Sequence, residues 1–326
     1  MPERSGRRSF LGHSLAAGAG LALPARWTLG QSIPPAPVQP PDSVRFAHLT
    51  DIHVQPELNA QAGMARALAQ AQSRGATLVL NGGDAVMDVF AAGRPRAEVL
   101  KKLWRTTCAD ECSVPMRHVV GNHDILGWNR SKSGLAESEA DWGKKFSAEL
   151  LGLERTYHAF DLGAWRIICL DSTQPQGDSY VAYCDDAQTD WLQRTLAQTP
   201  ASMPVCVVSH IPILTLTMLT WDERKRADYE KPTEIPAAEM HTDGSNLHAL
   251  FRKHGGVKLC LSGHIHLLDR CELDGITYIC DGAVSGSWWK GPHRGMPEGF
   301  GLIDLKADGS FAHQYETYGW QATAAD

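Results

Sequence analysis

The chain has 326 residues, 43% of them apolar and 21% charged, with a formal net charge of -6. That length fills one sizeable core, or one core with modest insertions. The acidic balance excludes a general nucleic-acid binder, which needs a basic surface.

Residues 1–30 read as a signal segment. Arg7-Arg8-Ser9-Phe10-Leu11 leads into the small-residue run LGHSLAAGAGLALPA, with a cut expected after Ala25. This start looks like a twin-arginine export signal, which implies contact of the precursor with the twin-arginine machinery and a periplasmic or otherwise exported mature protein. The competing reading is a cytoplasmic protein with a disordered basic start. The run is too short and too rich in Gly and Ala for a permanent membrane span. Residues 31–43 (QSIPPAPVQPPDS) read as a proline-rich linker. Residues 44–326 read as a single domain.

Within that domain, strand and helix alternate. A strand is expected near 44–50, then a helix near 60–73 with Met64, Leu68 and Ala71 on one face. Strands near 76–80 and 115–120 flank a helical segment near 95–105, and Trp142, Phe146 and Leu150 suggest another helix. Residues 155–160 and 164–170 read as two antiparallel strands turned at Leu162-Gly163. A helix over 185–197, a strand over 204–208, a helix over 245–254 and a strand over 257–261 follow. The tail from about 266 to 316 reads as short strands and turns. The polar stretch from Thr215 to Ser245 is either an active-site loop or a small insertion. A parallel half followed by hairpins indicates an α/β protein with two packed mixed sheets and helices outside.

The chain contains eight cysteines. Cys169, Cys206 and Cys260 lie in apolar strand runs and read as small buried hydrophobes. Cys108 and Cys112 are the most plausible bridge. A two-residue turn at Asp274-Gly275 pairs residue 271 with 278, so a Cys271–Cys280 bridge requires another register.

The chemistry sits where apolar runs end. FAHLTDIH, TLVLNGGD, MRHVVGNHD, VCVVSH and VKLCLSGHIH place Asp51, His53, Asp84, Asn122, His123, Asp124, His210, His264 and His266 at or just past strand ends. Two carboxylates, four imidazoles and an amide oxygen suit divalent Mn, Fe, Co or Zn. A hydrolase using two ions about 3.5–4 Å apart needs a bridging carboxylate, and Asp84 is the candidate. Asp51 and His53, at i and i+2, would grip one ion on a continuing strand. His264 and His266 could reach opposite ions if the backbone bends after Gly263. The two ions would leave net positive charge to polarise a phosphoryl group and acidify a shared water or hydroxide, the expected nucleophile.

The blocks DIH at 51–53, GGD at 82–84, GNHD at 121–124, SH at 209–210 and GHIH at 263–266 resemble, as an ordered set, the calcineurin-like metallophosphoesterases. The resemblance implies a four-layer α-β-β-α sandwich. It implies one ion on Asp51, His53, Asp84 and His266, and another on Asp84, Asn122, His210 and His264. In the purple acid phosphatases of this family a tyrosine three residues after the bridging aspartate binds ferric iron. Met87 stands there, so a colourless Mn, Zn or ferrous centre is implied.

His123 is then left to contact a phosphoryl oxygen or protonate the leaving alcohol. Asp124 either orients that imidazole or caps the next segment. His48, His118, His158, His248 and His254 read as packing or surface residues. Downstream, Trp288 or Trp289 could stack on a base, sugar or aryl group, while His293 or Arg294 could meet phosphate. Alternatively the two tryptophans cover the sheet edge. The apolar residues Ile211, Ile213, Leu214, Leu216, Met218 and Leu219 form either a lipid-facing mouth or a self-packing lid. The expected activity is two-metal hydrolysis of a small phosphodiester, nucleotide or cyclic nucleotide, with a phosphomonoesterase or a phospholipid-headgroup phosphodiesterase as alternatives. A binding protein with a relic site would lack ligands, and none is missing.

Overall fold

Alternate residues of the central strands enter different cores, and this sorts the chain into layers. The computed structural model describes residues 43–219 and 234–322. The expected signal segment (1–30), the linker apart from Ser43, and part of the polar stretch after Thr215 lie outside the described residues.

In chain order the first half comprises β1 (Ser43–Leu49), α1 (Ala60–Ser73), β2 (Val79–Asn81), α2 (Arg94–Glu111), β3 (Met116–His118), α3 (Arg130–Ser133), α4 (Lys144–Leu151), β4 (His158–Leu162) and β5 (Trp165–Leu170). The second half comprises β6 (Thr173–Gln176), β7 (Ser179–Ala182), α5 (Asp186–Gln198), β8 (Val205–Ser209), α6 (Gly244–His254), β9 (Val257–Ser262), β10 (Asp269–Leu273), β11 (Ile276–Cys280), β12 (Gly299–Lys306) and β13 (Phe311–Thr317).

One sheet has the order β13-β12-β1-β2-β3 and the other β10-β11-β9-β8-β5-β4, with β6-β7 a separate hairpin. Strands β1, β2 and β3 run parallel, as do β5, β8, β9 and β11. Antiparallel partners β12, β4 and β10 flank these parallel sets.

Between the sheets, Phe46, Leu80, Ile167, Cys169, Val208, Leu261 and Ile303 share one core. The neighbours Ala47, Leu49 and Val79 turn the other way, onto Met64 and Leu68 of α1, Trp104 of α2 and Phe146 of α4. On the far side, Ile168, Leu170, Val207 and Cys260 meet Leu192 and Leu196 of α5 and Phe251 of α6. The result is the four-layer α-β-β-α sandwich.

Several local expectations change. Helix α2 runs on to Glu111 and starts with Pro95 at a position where no backbone donor is needed. Leu162 pairs with Trp165, so the turn is Gly163-Ala164. The β6-β7 hairpin was not foreseen. In β10-β11, Cys271 does face Tyr278, across a turn in which Asp274 and Gly275 both hold positive φ, as a tight hairpin requires.

All eight cysteines are free. The Cys108–Cys112 bridge is not formed. Cys112 caps α2, its N–H donating to the Cys108 carbonyl, and its thiol donates to the Val114 carbonyl. Among the described residues, no helix is long and apolar enough to cross a membrane.

Candidate metal centre

The parallel strands of both sheets deliver their C-terminal ends to one cleft, which is where α/β sheets place ligands. Just beyond β1 come Asp51 and His53. Asp84 follows β2, Asn122 and His123 follow β3, His210 follows β8, and His264 and His266 follow β9. The backbone leaves the strand conformation there. Asp51 (φ 55°), His53 (47°), Asp84 (53°), His264 (71°) and His266 (58°) all lie in the left-handed region, which is uncommon for non-glycine residues. Asp51 and His53 therefore do not lie on a continuing strand; their side chains converge through this bend instead. Two glycines make the approach possible. A Cβ at Gly121 would overlap the Asp84 amide and carboxylate, and one at Gly83 (φ +103°) would overlap the His210 ring.

Each carboxylate has one oxygen held by backbone and one facing imidazoles. Asp84 Oδ1 accepts from the His123 N–H at 2.8 Å, while Oδ2 lies 3.6 Å from His53 Nε2 and 3.2 Å from His210 Nε2. Asp51 Oδ2 accepts from the His264 N–H at 2.9 Å and from the Thr50 hydroxyl at 2.7 Å. Its Oδ1 is buried without a hydrogen-bond partner, 3.3 Å from His266 Nε2. Donor atoms of Asp51, His53 and His266 lie within 4.8 Å of one another, as do those of Asp84, His210 and His264. Asp84 also groups with His53 and His123, which places it between the two sets.

The histidine tautomers follow from their partners. His210 Nδ1 faces the Gly82 carbonyl at 2.9 Å, His266 Nδ1 faces Gly286 O at 2.5 Å, and His53 Nδ1 faces Met87 O at 3.4 Å. A carbonyl only accepts, so each Nδ1 carries a proton, and in the neutral ring that metal ligation requires each Nε2 turns a lone pair inward. His53 Nε2 and His266 Nε2 then oppose lone pairs at 3.1 Å, and His210 Nε2 opposes Asn122 Oδ1 at 3.2 Å. A cation between such donors resolves this repulsion.

Burial pushes His53 down to about 3, outweighing Asp84. Burial also opposes a charge on His210, yet Asp84 and Asp51 raise it to about 9. The carboxylates thus draw positive charge to this point. The residues fit two divalent cations, with Asp51, His53 and His266 gathered at one place and Asp84, His210 and His264 at the other, and with Asp84 also near His53 and Asn122 Oδ1 beside His210. The mixed nitrogen and oxygen donors suit Mn, Fe or Zn.

His123 lines the mouth with its side chain 27% exposed, and its Nδ1 donates to the Met87 carbonyl at 2.7 Å. The backbone of residue 87 thus serves two imidazoles. Asp124 does not orient His123. Its carboxylate accepts from the Gly121 N–H at 3.0 Å and the Val86 N–H at 3.3 Å, capping the short 3-10 turn Asn122–Asp124. Burial first, then the charge of Asp84, lifts Asp124 to about 7.

The tryptophans divide. Trp288 stands over the site, 4.6 Å from His266 and 5.7 Å from His293 between ring centroids. Trp289 is a core residue and not a substrate contact. It is 0% exposed, its indole N–H donates to the His53 carbonyl, and its ring packs on Trp320 and leaves no room for a Cβ at Gly63.

His293 and Arg294 line the cleft of ≈ 220 Å³ with Trp288, and they are joined by Tyr180 and Glu239. These last two belong to no motif block. Tyr180 comes from the unforeseen hairpin and Glu239 from the polar stretch. The five histidines read as packing or surface residues lie outside the cleft lining. His48, for one, pairs with Asp281 at 2.7 Å. A further trio, Cys184, His241 and Asp243, also gathers donor atoms, but both His241 nitrogens are engaged by Ser209 and Asp243.

The sequence pattern of the calcineurin-like phosphoesterases matches residues 44–268, and the chain belongs to that family. Among solved structures it is similar to a dimetal phosphatase of Danio rerio, at 16% identity and TM-score 0.58, covering 84% of this chain and 96% of that one. GAP50, the anchor in the inner membrane complex of Plasmodium, matches at 16% identity and TM-score 0.51, covering 85% of each chain. A purple acid phosphatase from yellow lupin matches at 13% identity and TM-score 0.50, covering 86% of this chain and 52% of that one. At these identities the likeness shows the fold alone. A search of the curated proteins finds none that matches. Family, fold and donor set together support a metal-dependent phosphoesterase.

Proposed function

We propose that the protein hydrolyses a small phosphodiester, with a nucleotide or another ester bearing an aromatic or sugar group as the substrate class. The observation that carries hydrolysis is the pair of opposed donors, His53 with His266 at 3.1 Å and His210 with Asn122 at 3.2 Å, joined through Asp84. When bound, two divalent cations supply Lewis acidity toward a phosphoryl oxygen and activate solvent for attack.

The chain's own residues do the rest. His123 is held by its Nδ1–H on the Met87 carbonyl, which leaves Nε2 toward the cleft, where the imidazolium form would donate its Nε2 proton to the leaving oxygen. Trp288 offers a flat apolar face beside the cations, and His293 and Arg294 line the same end of the cleft. The carboxylate of Glu239 at the other end disfavours doubly charged monoesters and supports the diester reading. The volume suits a small ester.

The test compares bis(p-nitrophenyl) phosphate with p-nitrophenyl phosphate on the Mn-, Zn- and Fe-loaded protein. The diester should turn over faster. A preference for the monoester defeats the diesterase reading, and inactivity on both with metals bound defeats the enzyme reading.

One observation favours a second reading, a phospholipid-headgroup diesterase. Leu216 and Leu219 are 49% and 52% exposed, while Met218 between them packs on Ile265, which lines the cleft. Release of headgroup from vesicles faster than hydrolysis of soluble diesters would select it. The paired arginines at residues 7 and 8 support export of the folded protein. Replacing both with lysine should trap the precursor in the cytoplasm on fractionation, and unchanged export defeats that reading.

A further inference from the structure

Glu239 belongs to no motif block, yet its carboxylate enters the metal cleft. Its Oε2 lies 3.2 Å from His264 Nε2, an ion-pair distance, and that nitrogen, on a side chain only 7% exposed, has no hydrogen-bond partner. Two donors about 2.0–2.2 Å from one tetrahedral or octahedral ion stand about 3 Å apart. The same spacing recurs through the cluster. His53 and His266 are 3.1 Å apart, His210 and Asn122 3.2 Å, His210 and Asp84 3.2 Å, and His266 and Asp51 3.3 Å. Glu239 is not part of the tight trio of Asp84, His210 and His264. It lines the cleft beside Tyr180 and so approaches from the open side.

Its placement is built. The turn carrying it is tied down at both ends, with the Ala182 N–H donating to Ala237 O and the Thr242 N–H donating to Ala182 O, each at 2.8 Å. Next to that anchor, the His241 N–H donates to Pro212 O at 2.9 Å. The His241 ring is clamped between Asp243 at 2.8 Å and Ser209 at 3.0 Å, and Ser209 directly precedes His210. The strap bearing Glu239 is therefore fastened to the same strand end that carries a metal-facing imidazole.

We propose that Glu239 is a metal-directed residue on the open side of the second cation, additional to the seven expected donors. There it competes with anionic oxygens for the exposed position and lowers the charge of the site. This rests on the two-cation reading above, and it gives that site a bias toward singly charged esters.

The test uses the full chain, stripped with chelator and titrated calorimetrically with Mn²⁺. Wild type should bind two ions. Glu239→Gln should keep both sites but bind the second ion about 10- to 100-fold more weakly. Once loaded at saturating Mn²⁺, it should bind inorganic phosphate more tightly than wild type. Glu239→Asp, which keeps the charge, should recover part of the metal affinity. Two ions bound by Glu239→Gln with wild-type affinities overturn the proposal and leave the two-cation reading standing. A wild type that binds fewer than two ions overturns both.

Discussion

At the floor of the cleft, the side chains of Asp51, His53, Asp84 and His210 are between 0% and 2% exposed, whereas at its rim His123 retains 27% and Glu239 28%. Floor residues come from strand ends of both sheets and hold their second polar atoms on backbone groups. Apart from His123, which follows β3, rim residues come from a hairpin, a strap and the loop after β11. The difference separates two tasks. The floor fixes a charge distribution, so an error there removes the chemistry. The rim meets the ester, so an error there changes which ester is used.

The largest expected effect breaks the floor. Asp84→Ala removes the carboxylate that approaches both His53 and His210 and should lose both ions, with turnover falling by more than the 10- to 100-fold typical of groups behind the ligands. Elemental analysis and activity on the same sample check it, and two retained ions would rule Asp84 out as the bridge.

Next is the boundary. His123→Ala should keep both ions and reduce turnover about 10²- to 10⁴-fold. Loss of an ion in that variant would move His123 from the rim to the floor.

The adjacent tryptophans sharpen the contrast within one loop. Trp288→Ala should raise KM for an aromatic diester by an amount matching about 1–3 kcal/mol of lost stacking, with little change in melting temperature. Trp289→Ala should instead destabilise the fold by about 3–5 kcal/mol, read by denaturant titration. Equal KM effects from the two would erase the distinction.

The smallest effect lies outside the cleft. His313 and His48 each contact Asp281 at 2.7 Å and hold its carboxyl down to about 2 against the upward push of burial. Its value is thus lower in the folded than in the unfolded chain. The resulting stability is complete above about pH 4 and disappears as pH falls through about 2, on the order of 2 kcal/mol. Melting curves from pH 5 to pH 2 should show a shallower acid decline for Asp281→Asn, and an unchanged decline would remove Asp281 as the cause.

The floor was legible because polar residues interrupting an apolar run can be seen without knowing how strands pair. The layers were legible for the same reason, through alternation such as Ile167 with Cys169 against Ile168 with Leu170. The rim was not. Trp288 and Trp289 hold φ of 52° and 70°, so neither the strand nor the helix period applies and adjacency does not tell which ring is buried. Tyr180 lies in TQPQGDSYVA, where Pro and Gly mask the short hairpin. Glu239 is one acid in a polar stretch, and ties to Ala182, Pro212 and Ser209 bring it to the site. Asp124 misled because adjacency to His123 suggested contact, whereas the tight turn sends its carboxylate back to Gly121.

The reversed backbone at five donor positions has a consequence for how this protein can be improved. Each such residue holds a conformation costing on the order of 1–3 kcal/mol, which glycine relieves. Exchanging Asp51 or His264 for glycine would ease that tension while emptying a coordination position. Selection for heat resistance alone would therefore drift toward sturdy, inert variants, and any screen for a tougher form has to demand turnover at every round.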